Sequence, residues 1–385
     1  MFSCLSRKKG KQKDNKDKKV NRITIDDYEK VKIPKDYTLI KMISYNINLS
    51  HSVNLDKKIK EVISYMTSNY YNKSIDIINL QEINDIVSLN ILVEEFKRFC
   101  LVNNLTYYYS PPFNNILPTS HSHRFSHEQG HGHSHGLSIH MIEKSFDSRE
   151  RVIGNKNKKI IHNIIISKFP IISTIYSELN TDSGMEDILG TQVLVGANIL
   201  IGNSIISVFN VTFSKDVVAA QLNNREIRGI ELITMLKIIN NNSLTLKNDS
   251  ISKYTVTHLN LITGTFNIPE IESDGKVNDE YDDILSVGHF LDIFRLISED
   301  YGFTTTFKER INYVFLYMSE DFYKGSSYSD TIVNGKSVVD KDINILRKEL
   351  LKRYKIHFFD YYTVENYDSL SIYYPIECNF IVSNK

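Results

Sequence analysis

The segment NLITGTFNIPE, residues 260–270, places Thr-Phe-Asn directly behind an apolar run that ends in a glycine. Polar side chains stand at the ends of other apolar runs too. They are Asn46 after KMISY, Glu82 at the close of DIINLQE, Asn210 after SIISVF and Asn312 at the start of INYVFLY. Buried strands commonly end in this way, and the polar groups then gather at one rim of a sheet.

These residue types suggest phosphodiester hydrolysis as the candidate chemistry. It requires a carboxylate for a divalent metal, a base for the attacking water, a cation near the developing charge and donors for phosphate oxygens. The strand-end residues supply one carboxylate, Glu82, and several neutral amides. Thr265 cannot act as a base near pH 7, because its hydroxyl is too weakly acidic and basic. The set is therefore incomplete for a hydrolase.

The elements that must position these residues are strands with helices interspersed. Strand-like runs cover residues 37–47, 74–82, 162–174, 192–213, 258–267, 311–318 and 373–383, and the fourth run is expected to turn at Gly202-Asn203. Helical patterns cover residues 56–69, 87–99 and 218–239. No Pro/Gly linker splits the chain and no short repeat occurs, so the pattern predicts one α/β sandwich over some 350 residues.

Seven motifs, in their order, resemble the endonuclease/exonuclease/phosphatase superfamily, also called the DNase I-like fold. They are ISYNI, NLQE, IIISKFPI, VFNVTF, TGTFN, RINYVFL and SIYYPI. The resemblance covers roughly residues 38–385. It implies a four-layer α-β-β-α sandwich and a metal-dependent phosphoesterase site at one rim of the sheets.

The resemblance assigns retained roles to four residues. Asn46 matches the first-strand Asn near the metal, and Glu82 matches the metal-binding Glu. Asn210 and Asn267 match the amides of the Asn-x-His and Gly-Asp-Phe-Asn motifs. We therefore expect Asn46, Asn210 and Asn267 to contact a phosphorylated ligand. Glu82 is expected to bind Mg²⁺ weakly, because hard cations prefer several charged oxygens.

The same resemblance shows five substitutions at positions that carry catalysis or the metal. Thr212 stands in place of a His, Thr265 in place of the Asp that handles the attacking water, and Asn312 in place of another Asp. In the last motif Ile372 and Tyr373 replace the Asp and the catalytic His, while Ser371 is kept. Loss of such a coupled set commonly costs about 10³–10⁶ in rate.

These losses predict a catalytically degenerate protein that keeps the phosphoesterase fold as a binding or scaffolding module. The alternative is a divergent Mg²⁺-dependent phosphodiesterase, phosphatase or nuclease of the same superfamily. That alternative needs replacement groups, for which His162 and the histidines of residues 121–140 are candidates. It requires one of these imidazoles to lie within a few ångströms of Glu82.

A His-rich segment, HSHRFSHEQGHGHSHGLSIH at residues 121–140, holds seven of the twelve histidines. It indicates an inserted loop at about residues 114–140. Clustered histidines can bind zinc, and the candidate ligands are His121, His123, His131, His133 and His135. The other interpretation is a polar loop without a site, because its Gly- and Ser-rich spacing is not that of a rigid metal centre.

The charge is unevenly distributed along a chain whose net charge is zero. Residues 1–22 carry nine Lys/Arg and two Asp, so this basic tail is +7 and the remainder is −7. The acidic body disfavours a long nucleic acid as partner. The tail is expected to be solvated. Its alternatives are docking on an anionic membrane, helped by Phe2, Leu5 and an acylated Cys4, and tethering of nucleic acid.

The remaining composition points to an intracellular, cytoplasmic protein. No apolar run reaches about 18 residues, and no secretory signal is recognisable. Cys4, Cys100 and Cys378 lie far apart, which fits a reducing compartment. The expected partner is a phosphorylated small molecule or a lipid headgroup. Peripheral membrane association would come through the basic tail.

Overall fold

The computed structural model describes the parts of the chain that carry most of the motifs. These are residues 36–49, 55–67, 75–103, 105–110, 160–179, 190–216, 224–248, 255–272, 275–297, 303–318, 350–352, 356–363 and 373–383. The predicted basic tail at 1–22 and the His-rich loop at 114–140 lie outside them, so both stay predictions.

Twelve strands and five named helices make up this part of the chain. The strands are β1 (Tyr37–Leu49), β2 (Ile77–Ile83), β3 (Tyr108–Ser110), β4 (Ile160–Ser167), β5 (Ile171–Glu178), β6 (Thr191–Ile201), β7 (Ser204–Thr212), β8 (Thr255–Thr265), β9 (Phe290–Asp292), β10 (Asn312–Tyr317), β11 (Ile356–Thr363) and β12 (Ile376–Ser383). The helices are α1 (Leu55–Thr67), α2 (Ile86–Val102), α3 (Asn224–Asn248), α4 (Asp279–Gly288) and α5 (Ile293–Ile297).

The strands form two sheets that are continuous through one short contact. One sheet has the order β11-β12-β1-β2-β4 with β3 beside β4, and the other has the order β6-β7-β8-β10-β9 with β5 beside β6. Two residue pairs between β4 and β6 join them. The pairs β1/β2 and β7/β8 are parallel, whereas β8/β10 and β1/β12 are antiparallel. Parallel neighbours bring the carboxyl ends of their strands to one edge.

Alternating side chains divide the interior into three apolar layers. In β1, Ile40 and Met42 belong to the core between the two sheets, while Ile43 and Tyr45 face the layer shared with α1 and α2. The outer face of the second sheet packs against α3 and α4 in a third core, which includes Phe209. Strands covered on both faces need apolar residues at nearly every position. The fold is therefore the predicted four-layer α-β-β-α sandwich.

Two local predictions differ from the structure. The run 162–174, predicted as one strand, is divided between β4 and β5 by a bend at residues 168–170. Pro170 explains the break, because it lacks a backbone donor for a ladder. Helix α3 ends at Asn248, beyond the predicted end at residue 239. The Gly202-Asn203 hairpin between β6 and β7 is confirmed, with Gly202 at a φ of 59°.

None of the helices in the described ranges is both long enough and apolar enough to cross a membrane.

Candidate functional site

The polar strand-end residues meet at one edge of the sandwich, which we call the rim. It comprises the carboxyl ends of β1, β2, β7 and β8, the start of β10 and the residue Tyr373 before β12. The strand registers align its members. Thr265 pairs with Thr212 on one side and with Asn312 on the other. The sequence therefore identified residues that the fold brings together.

Asn46 connects the two sheets at the rim. Its Nδ2 donates to Thr265 Oγ1 at 2.8 Å, and its Oδ1 accepts from the backbone N–H of Asn48 at 3.0 Å. Asn48 has a left-handed φ of 42°, so the strand bends sharply just after Asn46. Both Asn46 and Thr265 are fully buried. The amide thus contributes to the contact between the sheets.

Asn210 is also fully buried and connects three strands. Its Nδ2 donates to the carbonyl oxygens of Leu80 and Ile164, both at 2.9 Å, and its Oδ1 accepts from Gln81 Nε2 at 2.7 Å. Asn267 is the most accessible of the three predicted ligand-binding asparagines. It is half-buried, has a left-handed φ of 56°, and donates from Nδ2 to the carbonyl of Phe213 at 2.6 Å. Their contact with a ligand stays a prediction.

The four described residues at the substituted positions are neutral and buried. Thr212 donates through Oγ1 to Asn163 Oδ1 at 3.0 Å, and Thr265 accepts from Asn46. Asn312 is 1% exposed, and neither of its side-chain amide atoms has a hydrogen-bond partner among the described residues. Tyr373 is 3% exposed, and burial, followed by the charge of Glu82, raises the pKa of its hydroxyl. Ile372 lies outside the described residues.

Glu82 is held in an unusual backbone conformation beneath the rim. Its φ is 58°, although it is not a glycine, and only 3% of its side chain is exposed. A non-glycine residue in this region is uncommon and is often associated with a functional constraint. Oε2 accepts a hydrogen bond, while the buried Oε1 has no hydrogen-bond partner in the part of the chain that the structure describes.

Lys215 is a residue at the rim that the sequence prediction missed. Its Nζ lies 2.7 Å from Glu82 Oε2 and 5.5 Å from the centroid of the Tyr373 ring. Burial by itself lowers the pKa of Lys215, but the Glu82 carboxylate and the Tyr373 hydroxyl outweigh burial and raise it. The ammonium is therefore charged at neutral pH. FSKD after β7 gives no signal of this pairing, because the partner is 133 residues away in the chain.

Helix α3 fixes the segment that carries Lys215. Ser214 donates to the buried carboxylate of Glu231 from its backbone N–H, at 2.9 Å, and from Oγ, at 2.5 Å. Arg228 Nη1 lies 2.5 Å from Asp216 Oδ1, on the other side of Lys215. Because both neighbours of Lys215 are bound to α3, its side chain starts from a fixed backbone position.

A second lysine approaches the same carboxylate. Lys58 of α1 is 8% exposed and donates from Nζ to the carbonyl of Asn48 at 2.9 Å. Burial lowers its pKa, and the charge of Glu82 opposes that shift. With both lysines charged, the group Glu82, Lys215 and Lys58 carries +1. Such a group favours an anion over a divalent cation.

The donor set at the rim does not fit a resident Mg²⁺. Magnesium is usually held by several charged oxygens, and Glu82, the carboxylate at the end of β2, already pairs with an ammonium. Within the described ranges no three His, Cys, Asp or Glu residues form a metal-binding group. His162 instead contacts the Tyr176 hydroxyl through Nδ1, at 3.3 Å. The five candidate loop histidines lie outside the described residues.

The chain matches no protein-family model and no curated protein. It is similar to solved structures. An endonuclease/exonuclease/phosphatase family protein from Leptotrichia buccalis is 14% identical, with a TM-score of 0.48 over 88% of this chain and 98% of that one. Beta toxin from Staphylococcus aureus, with bound magnesium ions, is 14% identical, with a TM-score of 0.48 over 89% and 99%.

A third solved structure is a mannosyl-6-phosphatase from Bacteroides thetaiotaomicron. It is 12% identical and has a TM-score of 0.45 over 89% of this chain and 99% of that one. At these identities the similarity concerns architecture, and the chemistry of the rim has to be judged from this chain's own residues. The chain's own strands and helices form the four-layer α-β-β-α architecture that its motifs predict.

Proposed function

We propose that this chain is a catalytically degenerate phosphoesterase-fold protein that binds a phosphorylated ligand without hydrolysing it. The observation that carries the proposal is the ion pair between Glu82 and Lys215. The carboxylate that the resemblance assigns to the metal is neutralised by an ammonium of the same chain. Hydrolysis by the superfamily's route would need that carboxylate for a metal ion and a separate base for water.

The described substituted positions support the proposal, because none of them supplies an acid or base suited to neutral pH. The hydroxyls of Thr212 and Thr265 make hydrogen bonds inside the protein. Asn312 is an amide, and the raised pKa of Tyr373 keeps its phenol protonated. General acid–base catalysis works best with a group whose pKa lies near the working pH.

A phosphate group is the ligand class that best suits this rim. The ammonium of Lys215 is half-exposed and can donate to phosphate oxygens as a point charge. The half-buried amide of Asn267 stands on the neighbouring strand end. Asn46 and Asn210 are fully buried, so their role would be to fix the strand ends. The ligand would be a phosphorylated small molecule or a lipid headgroup, and the acidic body disfavours long nucleic acid.

One observation favours a second function, a divergent Mg²⁺-dependent phosphoesterase. Glu82 Oε1 and Asn312 Oδ1 are buried oxygens without hydrogen-bond partners within the described ranges. Unsatisfied buried acceptors are rare, and a hard cation is one of the groups that can satisfy them. The candidate would need a base other than Thr265. His162 is a poor one, because burial lowers its pKa to about 4.

Turnover measurements separate the two functions. The full chain is incubated with bis(nitrophenyl) phosphate and with nitrophenyl phosphate, in Mg²⁺, in Mn²⁺ and in EDTA. Glu82→Ala is the matched control, and a variant lacking residues 114–140 removes chelation by the His-rich segment. We expect the wild type and Glu82→Ala to release nitrophenol at the same background rate. Metal-dependent turnover that disappears in Glu82→Ala would establish the second function instead.

A further inference from the structure

The carboxylate of Glu82 has an unequal environment that needs explanation. One oxygen, Oε2, is bound by the Lys215 ammonium at 2.7 Å, whereas Oε1 is buried without a partner. Removing a carboxylate from water is costly unless a charge compensates for it. At this position the Lys215 ammonium supplies a compensating charge.

Two sets of contacts fix the position of Lys215. On its own segment, Ser214 and Asp216 are bound to Glu231 and Arg228 of α3. From the opposite sheet, the ring of Tyr373 lies 5.5 Å from its Nζ. A surface lysine would lose much side-chain entropy in forming one ion pair. Here the fixed backbone and the aromatic contact reduce that loss.

The position of the ammonium is incompatible with a divalent cation on the same oxygen. Two like charges within about 4 Å repel strongly in a partly buried site. Lys58 adds a second positive charge near Glu82. The ammonium of Lys215 is therefore the reason why these residues do not fit the metal site that the resemblance implies.

We propose that Lys215 is a built-in cation that takes the place of the divalent ion at Glu82. The rim then keeps its charge balance and its phosphate-binding character without a metal. This inference rests on the proposed function, since it explains how the rim can bind phosphate in the absence of Mg²⁺. It also predicts that removing the Lys215 side chain allows a divalent ion to bind at Glu82.

Mn²⁺ binding tests the inference, measured on the full chain by electron paramagnetic resonance of the free ion. The wild type should bind no Mn²⁺ that depends on Glu82. Lys215→Met should bind Mn²⁺ about tenfold or more tightly than the wild type, because the adjacent positive charge is gone. Adding Glu82→Gln to Lys215→Met should abolish the gain. Lys168→Met removes another partly buried lysine–carboxylate pair, with Asp76, and should gain nothing.

Two results would overturn the inference. One is Glu82-dependent Mn²⁺ binding by the wild type, and the other is a folded Lys215→Met without any gain in binding. If Lys215→Met does not fold alone, millimolar Mn²⁺ should restore its folding. Rescue by Glu82→Gln but not by Mn²⁺ would contradict the inference. Metal-free turnover by the wild type would defeat the proposed function and leave Lys215's role intact, so the two failures are distinguishable.

Discussion

Asn46 and Thr265 form a hydrogen bond that joins the two sheets, with Nδ2 donating to Oγ1 at 2.8 Å. Both side chains are fully buried. The motif resemblance sets Thr265 in the place of the Asp that handles water, which stays a prediction. Its hydroxyl is instead the acceptor for a buried amide, so this residue contributes to the packing of the sandwich.

Thr265→Val should therefore destabilise the protein by about 1–3 kcal/mol, because the buried hydrogen bond from Asn46 Nδ2 to Thr265 Oγ1 would be lost. Thr263→Val is the matched control on the same strand, since Thr263 Oγ1 is buried and already has no partner. That control should be neutral or stabilising. Urea unfolding measures both changes, and equal effects of the two substitutions would refute the role given to the Asn46 contact.

The buried carboxyl of Glu231 should make stability depend on pH. Burial raises its pKa from 4.5 to about 7, against the opposing hydrogen bonds from Ser214 and the charge of Arg228. Between these two values the folded state holds a proton that the unfolded state has released. Stability therefore falls as pH rises through this window, by a total on the order of 3 kcal/mol.

Glu231→Gln should remove that slope. The free energies of unfolding of wild type and variant are compared at about pH 5 and about pH 8. The wild type should lose stability relative to the variant on going to the higher pH. A constant difference between the two proteins at both values would show that Glu231 does not change its protonation in this range.

Arg310, which stands two residues before Asn312, should be essential to the start of β10. Its guanidinium binds Glu270 at 2.9 Å and Asp292 at 2.6 and 2.7 Å, and it is 3% exposed. Arg310→Met would leave the buried carboxylate of Asp292 without its cation and Glu270 with Arg295 alone, at a cost of about 3–5 kcal/mol. Arg225→Met, which breaks an exposed pair with Asp283, should change stability by no more than about 0.5 kcal/mol.

Chemical denaturation of these two variants gives the comparison. A loss below about 1 kcal/mol for Arg310→Met would mean that its ion pairs contribute little to the fold.

Gly264 has a backbone position that no other residue can occupy without strain. Its φ is 146°, and a Cβ built there would lie 1.9 Å from the carbonyl oxygen of Val211. Gly264→Ala should cost at least about 3 kcal/mol, because β7 and β8 would have to separate at the rim.

In α3, a Cβ on Gly229 meets nothing within 4 Å. Gly229→Ala should stabilise by up to about 1 kcal/mol. Thermal unfolding that ranks these variants in the opposite order would contradict the geometry.

The motifs were sufficient to predict the fold and the residues that the rim brings together. Strand-end residues such as Asn46, Thr265 and Asn312 are identifiable because each follows or opens an apolar run. The partner of Glu82 was not predictable, since Lys215 comes from another sheet and its position depends on contacts with α3. The division of the run 162–174 was missed because its apolar residues continue across Pro170.

The proposed role of Lys215 depends on the distance of its charge from Glu82, and its residue type alone does not indicate that role. Lysine residues after strands are common on protein surfaces, and only the 2.7 Å contact with Glu82 distinguishes this one. For Asn312, the motif reveals the substitution, but only the structure reveals that its amide atoms have no hydrogen-bond partners among the described residues.

The most direct test of the central claim is phosphorus NMR of the full chain with phenyl phosphate, because it detects binding and hydrolysis in one sample. The ester resonance should broaden or shift equally in EDTA and in Mg²⁺, less so with Lys215→Met in EDTA, and its area should stay constant over hours. A resonance of inorganic phosphate that grows in Mg²⁺ and is absent with Glu82→Ala would contradict the claim and show a working hydrolase.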